Sequence, residues 1–285
     1  MKKNTKSGYI SLPSAIVIAA TILAIAIIWA SGKATPKAVP VNSDTNTLPT
    51  VANQVVNINM RAITSTDHIF GNPNAPIRII EYSDPSCPFC KIFSPTIEKV
   101  ADTYGASGNV AWIYRNFPLD KPDPNGNILH KNAGHESQAL ECAGSVGGND
   151  KYWIFLRRLY AVTPSVTGQT PNGLDQSQLP VIAKFAGIDE TAFNTCLDNG
   201  QMKARVEADY VDGVNAGVNG TPFSIFVLSK PAPASLDNVL VSINAQLHLP
   251  DGSLFISSDR TKIAMSGALP YETFQTVIDA LLANK

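Results

Sequence analysis

No excess of either charge marks this chain: 22 basic residues stand against 23 acidic ones among 285, a net charge of -1. That balance gives no reason to expect nucleic acid or a strongly acidic surface as partner. Cysteine and histidine are scarce, four of each. Only Cys87 and Cys90 lie close together. A structural zinc normally takes four ligands, usually from a second close pair of cysteines or histidines. Cys142 and Cys196 are far apart, and His68, His130, His135 and His248 show no ligand spacing. No metal and no cofactor are therefore expected, and each lone histidine reads as a surface or capping residue. There is also no internal repeat.

Charge is missing altogether from residues 15–30, AIVIAATILAIAIIWA. With the residues just before it, this run approaches the roughly 20 apolar residues that cross a bilayer core. Residues 14–30 read as a membrane anchor. Lys2, Lys3 and Lys6 would hold residues 1–13 in the cytoplasm and place the rest outside it. A cleaved signal peptide is the rival, since Ala30 and Gly32 suit a peptidase site, and a buried core helix is a third reading. Residues 31–61 read as a linker, because 31–49 are rich in Ser, Thr, Asn, Pro and Lys. At about 3.3 Å per residue such a tether reaches roughly 60 Å.

The remaining 62–285 read as one α/β domain. Asn72 to Pro76 is a turn, and Ile77, Ile79, Ile80 and Tyr82 form a strand entering SDPSCPFCK. Phe89, Ile92, Phe93, Ile97 and Val100 then follow at helical spacing, with Pro95 as an expected kink. VAWIYRNF, from Val110, is a second strand. A helical block spans about 130–217, with helices expected at Lys131–Gly144, around Tyr152–Leu159, and at Asp175–Ala186, Asp189–Asn199 and Met202–Asn215. In the last of these, Met202, Val206, Tyr210 and Val214 form the expected core stripe. FSIFVL, from Phe223, is a third strand. Val239–His248 and Leu254–Ser257 are expected to pair as a hairpin around Pro250-Asp251-Gly252, before a C-terminal helix carrying Tyr271 to Leu282.

Cys87 stands where strand gives way to helix. There, free backbone N–H groups and the positive end of the helix dipole favour a thiolate, which lowers the thiol pKa and makes it nucleophilic. Cys90, one turn further in, is the shielded thiol that would resolve a mixed disulfide formed at Cys87. A plain structural disulfide between the two is the alternative, though so small a loop gains little chain entropy. Cys142 and Cys196 each fall in a predicted helix, and a bridge between them would contribute about 4 kcal/mol in the chain-entropy model. Two buried free thiols are the other reading.

EYSDPSCPFCKIF, YRNFPL, ECAGSVGGNDKYW, GVNGTPFSIFV and SGALPYETFQTVIDALL together resemble successive blocks of DsbA-like thiol oxidoreductases, from about Thr66 to Lys285. The resemblance implies a thioredoxin-like fold with a helical insertion. It implies a cis Pro222 facing the cysteines, with Thr221 offering its backbone to an extended client; an ordinary trans turn is the alternative. It also implies that Glu81, six residues before Cys87, relays a proton for Cys90; a solvent-facing glutamate is the alternative. The best-known oxidants of the group carry His between their cysteines, whereas this chain has Pro88-Phe89. Phe89 cannot donate a hydrogen bond to the thiolate, which points to a milder oxidant and to an apolar contact for clients.

The expected function is therefore extracytoplasmic thiol-disulfide exchange that introduces disulfides into reduced, unfolded proteins. A DsbB-like or VKOR-like membrane protein would reoxidise the pair. A reductase or isomerase, or a non-catalytic peptide-holding chaperone, are the alternatives.

Overall fold

The computed structural model describes residues 57–123, 125–164 and 174–283. The expected anchor at 14–30 and most of the linker lie outside them. No helix among the described residues is long and apolar enough to cross a membrane. Packing begins earlier than residue 62, since Ile58 is buried and Arg61 is paired to Asp67 and Asp209.

Strands β1 (His68–Gly71), β2 (Ile77–Ser83), β3 (Val110–Asn116), β4 (Phe223–Leu228), β5 (Leu254–Ile256) and β6 (Lys262–Ser266) form one sheet in the order β1-β3-β2-β4-β6-β5. β2 and β3 run parallel; the other neighbours are antiparallel. Both faces of β2 are covered, so IRIIEYS is buried almost throughout, Glu81 and Ser83 included, rather than on alternate residues. Its side chains still divide with the period of two of a strand. Ile77 and Ile79 join one core with Phe93, Ile97, Trp112, Phe226 and Phe274. Ile80 and Tyr82 join the opposite core with Ile113, Phe117, Phe223 and Ile225.

Helix α1 (Pro88–Gly105) follows β2, and α8 (Tyr271–Leu282) closes the chain. The two meet through Phe93 and Phe274, whose ring centroids are 5.3 Å apart. Pro95 lies inside α1 on its exposed side. Between β3 and β4 comes the helical insertion: α2 (Ala133–Gly147), α3 (Asn149–Val162), α4 (Gln178–Phe185), α5 (Glu190–Asp198) and α6 (Lys203–Ala216). A disulfide between Cys142 and Cys196 joins α2 to α5, with Cα atoms 5.8 Å apart.

Three elements depart from the sequence reading. Val239–His248 is not a strand: Leu236–Leu247 is helix α7, which buries Leu236, Leu240 and Ile243 and ends on His248 in the left-handed conformation. The hairpin is formed instead by β5 and β6, which Ser257 to Thr261 connect. β1 went unread because four residues ending in Gly71, at φ 98°, carry little strand pattern.

The third departure is the face of α6. Of the expected stripe only Val206 is buried, and Val214 is half exposed; the buried face is Val206, Asp209, Asp212, Gly213 and Ala216. Gly213 permits the approach, since a Cβ there would lie 2.5 Å from the Phe117 ring and 3.0 Å from that of Tyr82. Two acids point inward because each finds a partner there: Asp212 the fully buried Arg115 of β3, and Asp209 the Arg61 guanidinium and the Asn116 N–H. Arg115 binds Asp67 at 2.9 Å and Asp212 at 2.7 Å, and its guanidinium also reaches the carbonyls of Arg61 and Ala62. This cluster ties residues 61–67, β3 and α6 together next to the strand that leads to the cysteines.

Candidate active site

Cys87 is the N-cap of α1, with extended backbone, and Pro88 follows at the first helical position, where a missing N–H costs nothing. The first helical hydrogen bond runs from the Lys91 N–H to the Cys87 carbonyl, at 3.1 Å. Cys90 is fully buried, whereas Phe89 is 61% exposed and Ile92 66% exposed beside the thiols. Both cysteines are free thiols.

Their environments push the two thiols apart. The hydrogen bond from Cys90, above all, lowers the Cys87 pKa to about 6, against the effect of burial and with help from Thr221. Burial first, and then the neighbouring Cys87, pushes the Cys90 pKa well above the ordinary thiol range. The result is one nucleophile and one held proton.

Pro222 and Thr221 lie opposite. The Thr221–Pro222 peptide is cis, and the Cys87 thiol donates to the Thr221 carbonyl at 3.5 Å. Pro222 is fixed in turn by the Gly267 N–H, 2.9 Å from its carbonyl. The loop before β4 thus faces the N-terminus of α1.

Glu81 sits beneath. It shares the face of β2 occupied by Ile79, and it is buried. Its Oε2 accepts from the Trp112 indole at 3.0 Å, while Oε1 has no hydrogen-bond partner. Burial raises its pKa to about 7. A carboxyl poised there can hold or release a proton at neutral pH.

The thioredoxin family model matches residues 63–230, more than half of the chain. The chain belongs to the thioredoxin family. Among solved members of this fold, alpha-DsbA1 of Wolbachia pipientis superposes with a TM-score of 0.56 at 21% identity, over 78% of this chain and 94% of that one. Probable disulfide bond formation protein D of Bacillus anthracis is 25% identical over 189 residues, which is 64% of this chain and 79% of that protein. The Na(+)/H(+) antiporter NhaA 1 of Mycolicibacterium gilvum is 28% identical over 166 residues, 58% of this chain. The thioredoxin-like part of this chain corresponds to 24% of that antiporter's length.

Four residues near the thiols were not singled out from the sequence. Asp84 and Ser86 stand inside SDPSC itself; His130 and Glu136 come from the start of the insertion. His130 is buried and 2.8 Å from the Asp84 carboxylate, so it is neither a surface nor a capping residue. His68 is likewise paired, with Glu141 at 3.0 Å, and stacks on Tyr152. Ser86 donates to Glu136 at 2.7 Å. The available signal was Asp84, an acid three residues ahead of the first cysteine. Its partner, 46 positions away, carries no pattern.

Proposed function

We propose that this chain is an extracytoplasmic thiol-disulfide oxidoreductase that passes a Cys87–Cys90 disulfide to reduced client proteins. The observation that carries the reading is the setting of the two thiols: Cys87 caps α1 and faces the cis Thr221–Pro222 peptide while Cys90 is fully buried behind it, which lowers the first thiol pKa and raises the second. A pair whose reduced form is stabilised by a thiolate gives up its disulfide readily. The names and folds of the relatives favour the same chemistry.

In the forward reaction a client thiolate attacks Cys87 Sγ, the Cys87–Cys90 bond breaks, and Cys90 leaves with the electron pair. Glu81, protonated, supplies the proton that Cys90 takes up. A second client thiolate then attacks its own mixed-disulfide sulfur, forms the client disulfide and releases Cys87 as thiolate. Two electrons now reside on the pair, and a membrane oxidant of the DsbB-like or VKOR-like kind takes them. The Thr221 main chain pairs with the extended client, and exposed Phe89 offers it apolar contact. Residues 14–30 anchor the catalytic domain, the residues from 31 up to the buried Ile58 tether it, and Cys142–Cys196 braces the insertion.

The test is to mix the oxidised full chain in stoichiometric amount with a reduced, unfolded protein and follow loss of client thiols. Rapid transfer supports the reading; transfer no faster than with free oxidised glutathione contradicts it.

Glu81 supplies a second check. Its folded-state pKa is raised from 4.5 to about 7, so the fold is penalised when the group is ionised: not at all below the lower value, fully above the higher one. Glu81→Gln should therefore stabilise the protein by about 3 kcal/mol near pH 8 and by almost nothing near pH 4. The same variant should lose the inflection near neutral pH in the rate of client oxidation. Urea midpoints and rates across that range measure both, and parallel curves for the two proteins would remove the role.

A further inference from the structure

The loop ahead of Cys87 is organised by one carboxylate. Asp84 is fully buried. Its Oδ1 accepts the Ser86 N–H at 2.7 Å, and its Oδ2 accepts the Leu119 N–H at 2.8 Å. Its own N–H donates to Cys90 Sγ at 3.5 Å, and its carbonyl accepts the Cys87 N–H at 3.0 Å. A single residue thus holds the backbone at both reactive sulfurs.

That places a negative charge beside a pair that must itself become negative. The other titratable groups packed around it add no cation: Glu81 from β2, Tyr114 from β3, Asp120 after β3, Glu136 from α2 and Tyr160 from α3. The base set against this acidic surround is His130, whose Nδ1 lies 2.8 Å from Asp84 Oδ2 and whose backbone N–H donates to the Leu119 carbonyl at 3.0 Å. Burial works against a charged imidazole there. The hydrogen bond and charge of Asp84, reinforced by the Cys87 thiolate and Glu136, outweigh it and favour the imidazolium.

We propose that Asp84 and His130 are a positioning pair for the redox centre: Asp84 fixes both sulfurs, and His130 cancels its charge, so that electrons settle on Cys87 and Cys90 more readily than they otherwise would. The proposal rests on the reading of these cysteines as a redox pair. Neither residue touches the client, and both act through the loop and its field. Phe89 stands where a hydrogen-bonding residue would stabilise the thiolate directly, and the imidazolium of His130 supplies part of that stabilisation from behind.

The signs follow from charge alone. His130→Gln leaves Asp84 unpaired, so the Cys87 thiolate is disfavoured and the disulfide becomes a weaker oxidant. Asp84→Asn does the reverse. The double variant has neither charge, and because the two single shifts are opposite in sign it returns towards the parent. Glutathione redox titration of the full chain, with thiolate absorbance against pH, measures both quantities. The equilibrium constant with glutathione should shift about tenfold towards the protein disulfide in His130→Gln, about 30 mV for two electrons. It should shift in the opposite sense in Asp84→Asn, even if His130→Gln fails to fold. Single variants that move together, or not at all, overturn the proposal while a normally titrating parent keeps the redox reading. A parent pair inert to glutathione overturns both.

Discussion

Arg115→Met should destabilise the protein by about 3–5 kcal/mol at neutral pH, the cost of removing one partner from a buried ion pair. Asp67 and Asp212, within 5% of full burial, would then face each other across an emptied site with only the part-exposed Arg61 nearby. The cost should fall in acid. Despite burial, which works the other way, Arg115 and Arg61 hold the Asp67 pKa below its usual 3.8. The stabilisation is therefore present above that value and disappears as pH drops through the folded-state one. Adding Asp67→Asn and Asp212→Asn to Arg115→Met should recover much of the loss, because the stranded charges go with it. Denaturant midpoints at neutral and acid pH provide the check. A loss below about 1 kcal/mol would mean that the cluster is not what holds residues 61–67 to the sheet.

Cys87→Ala should reduce client oxidation by more than about a thousandfold, to the background of uncatalysed exchange, because the remaining free thiol, Cys90, is buried and has no partner with which to form the disulfide the client attacks. Cys90→Ala should fail differently. It retains the nucleophile but not the resolving thiol, so when the client is presented as a disulfide, Cys87 should attack one client sulfur, release the other as thiolate and accumulate as a mixed disulfide, visible on non-reducing gels. Its formation should quicken as Cys87 ionises, at a higher pH than in the parent because the hydrogen bond from Cys90 is gone. If Cys87→Ala still promoted client folding at the parental rate, the chain would be a peptide-holding chaperone instead.

Much of the site could be read before any coordinates because its parts are local. CPFC after an apolar strand puts Cys87 at a helix N-terminus, and GTP before FSIFVL puts Pro222 at the start of a strand. What escaped is non-local. Nothing around Arg115 in VAWIYRN says that Asp212 will turn inward to meet it, or that Asp209 will turn inward beside it to Arg61 and Asn116. The four-spaced apolar residues of α6 point to the wrong face for that reason: a buried cation outweighs a weak hydrophobic stripe. Val239–Leu247 has the alternating β-branched residues of a strand, yet packs as a helix beside α8, since burial of Leu240 and Ile243 overrides propensity. His130 reads as a lone histidine in the sequence because its meaning depends on Asp84, which only the fold brings to it.

The most direct test of the whole account is the reduction potential of the Cys87–Cys90 pair in the purified full chain, equilibrated against glutathione. A pair built to donate its disulfide, with one stabilised thiolate and one buried thiol, should lie clearly above about -200 mV, on the oxidising side. A value near thioredoxin's, about -270 mV, would contradict it and make the chain a reductant.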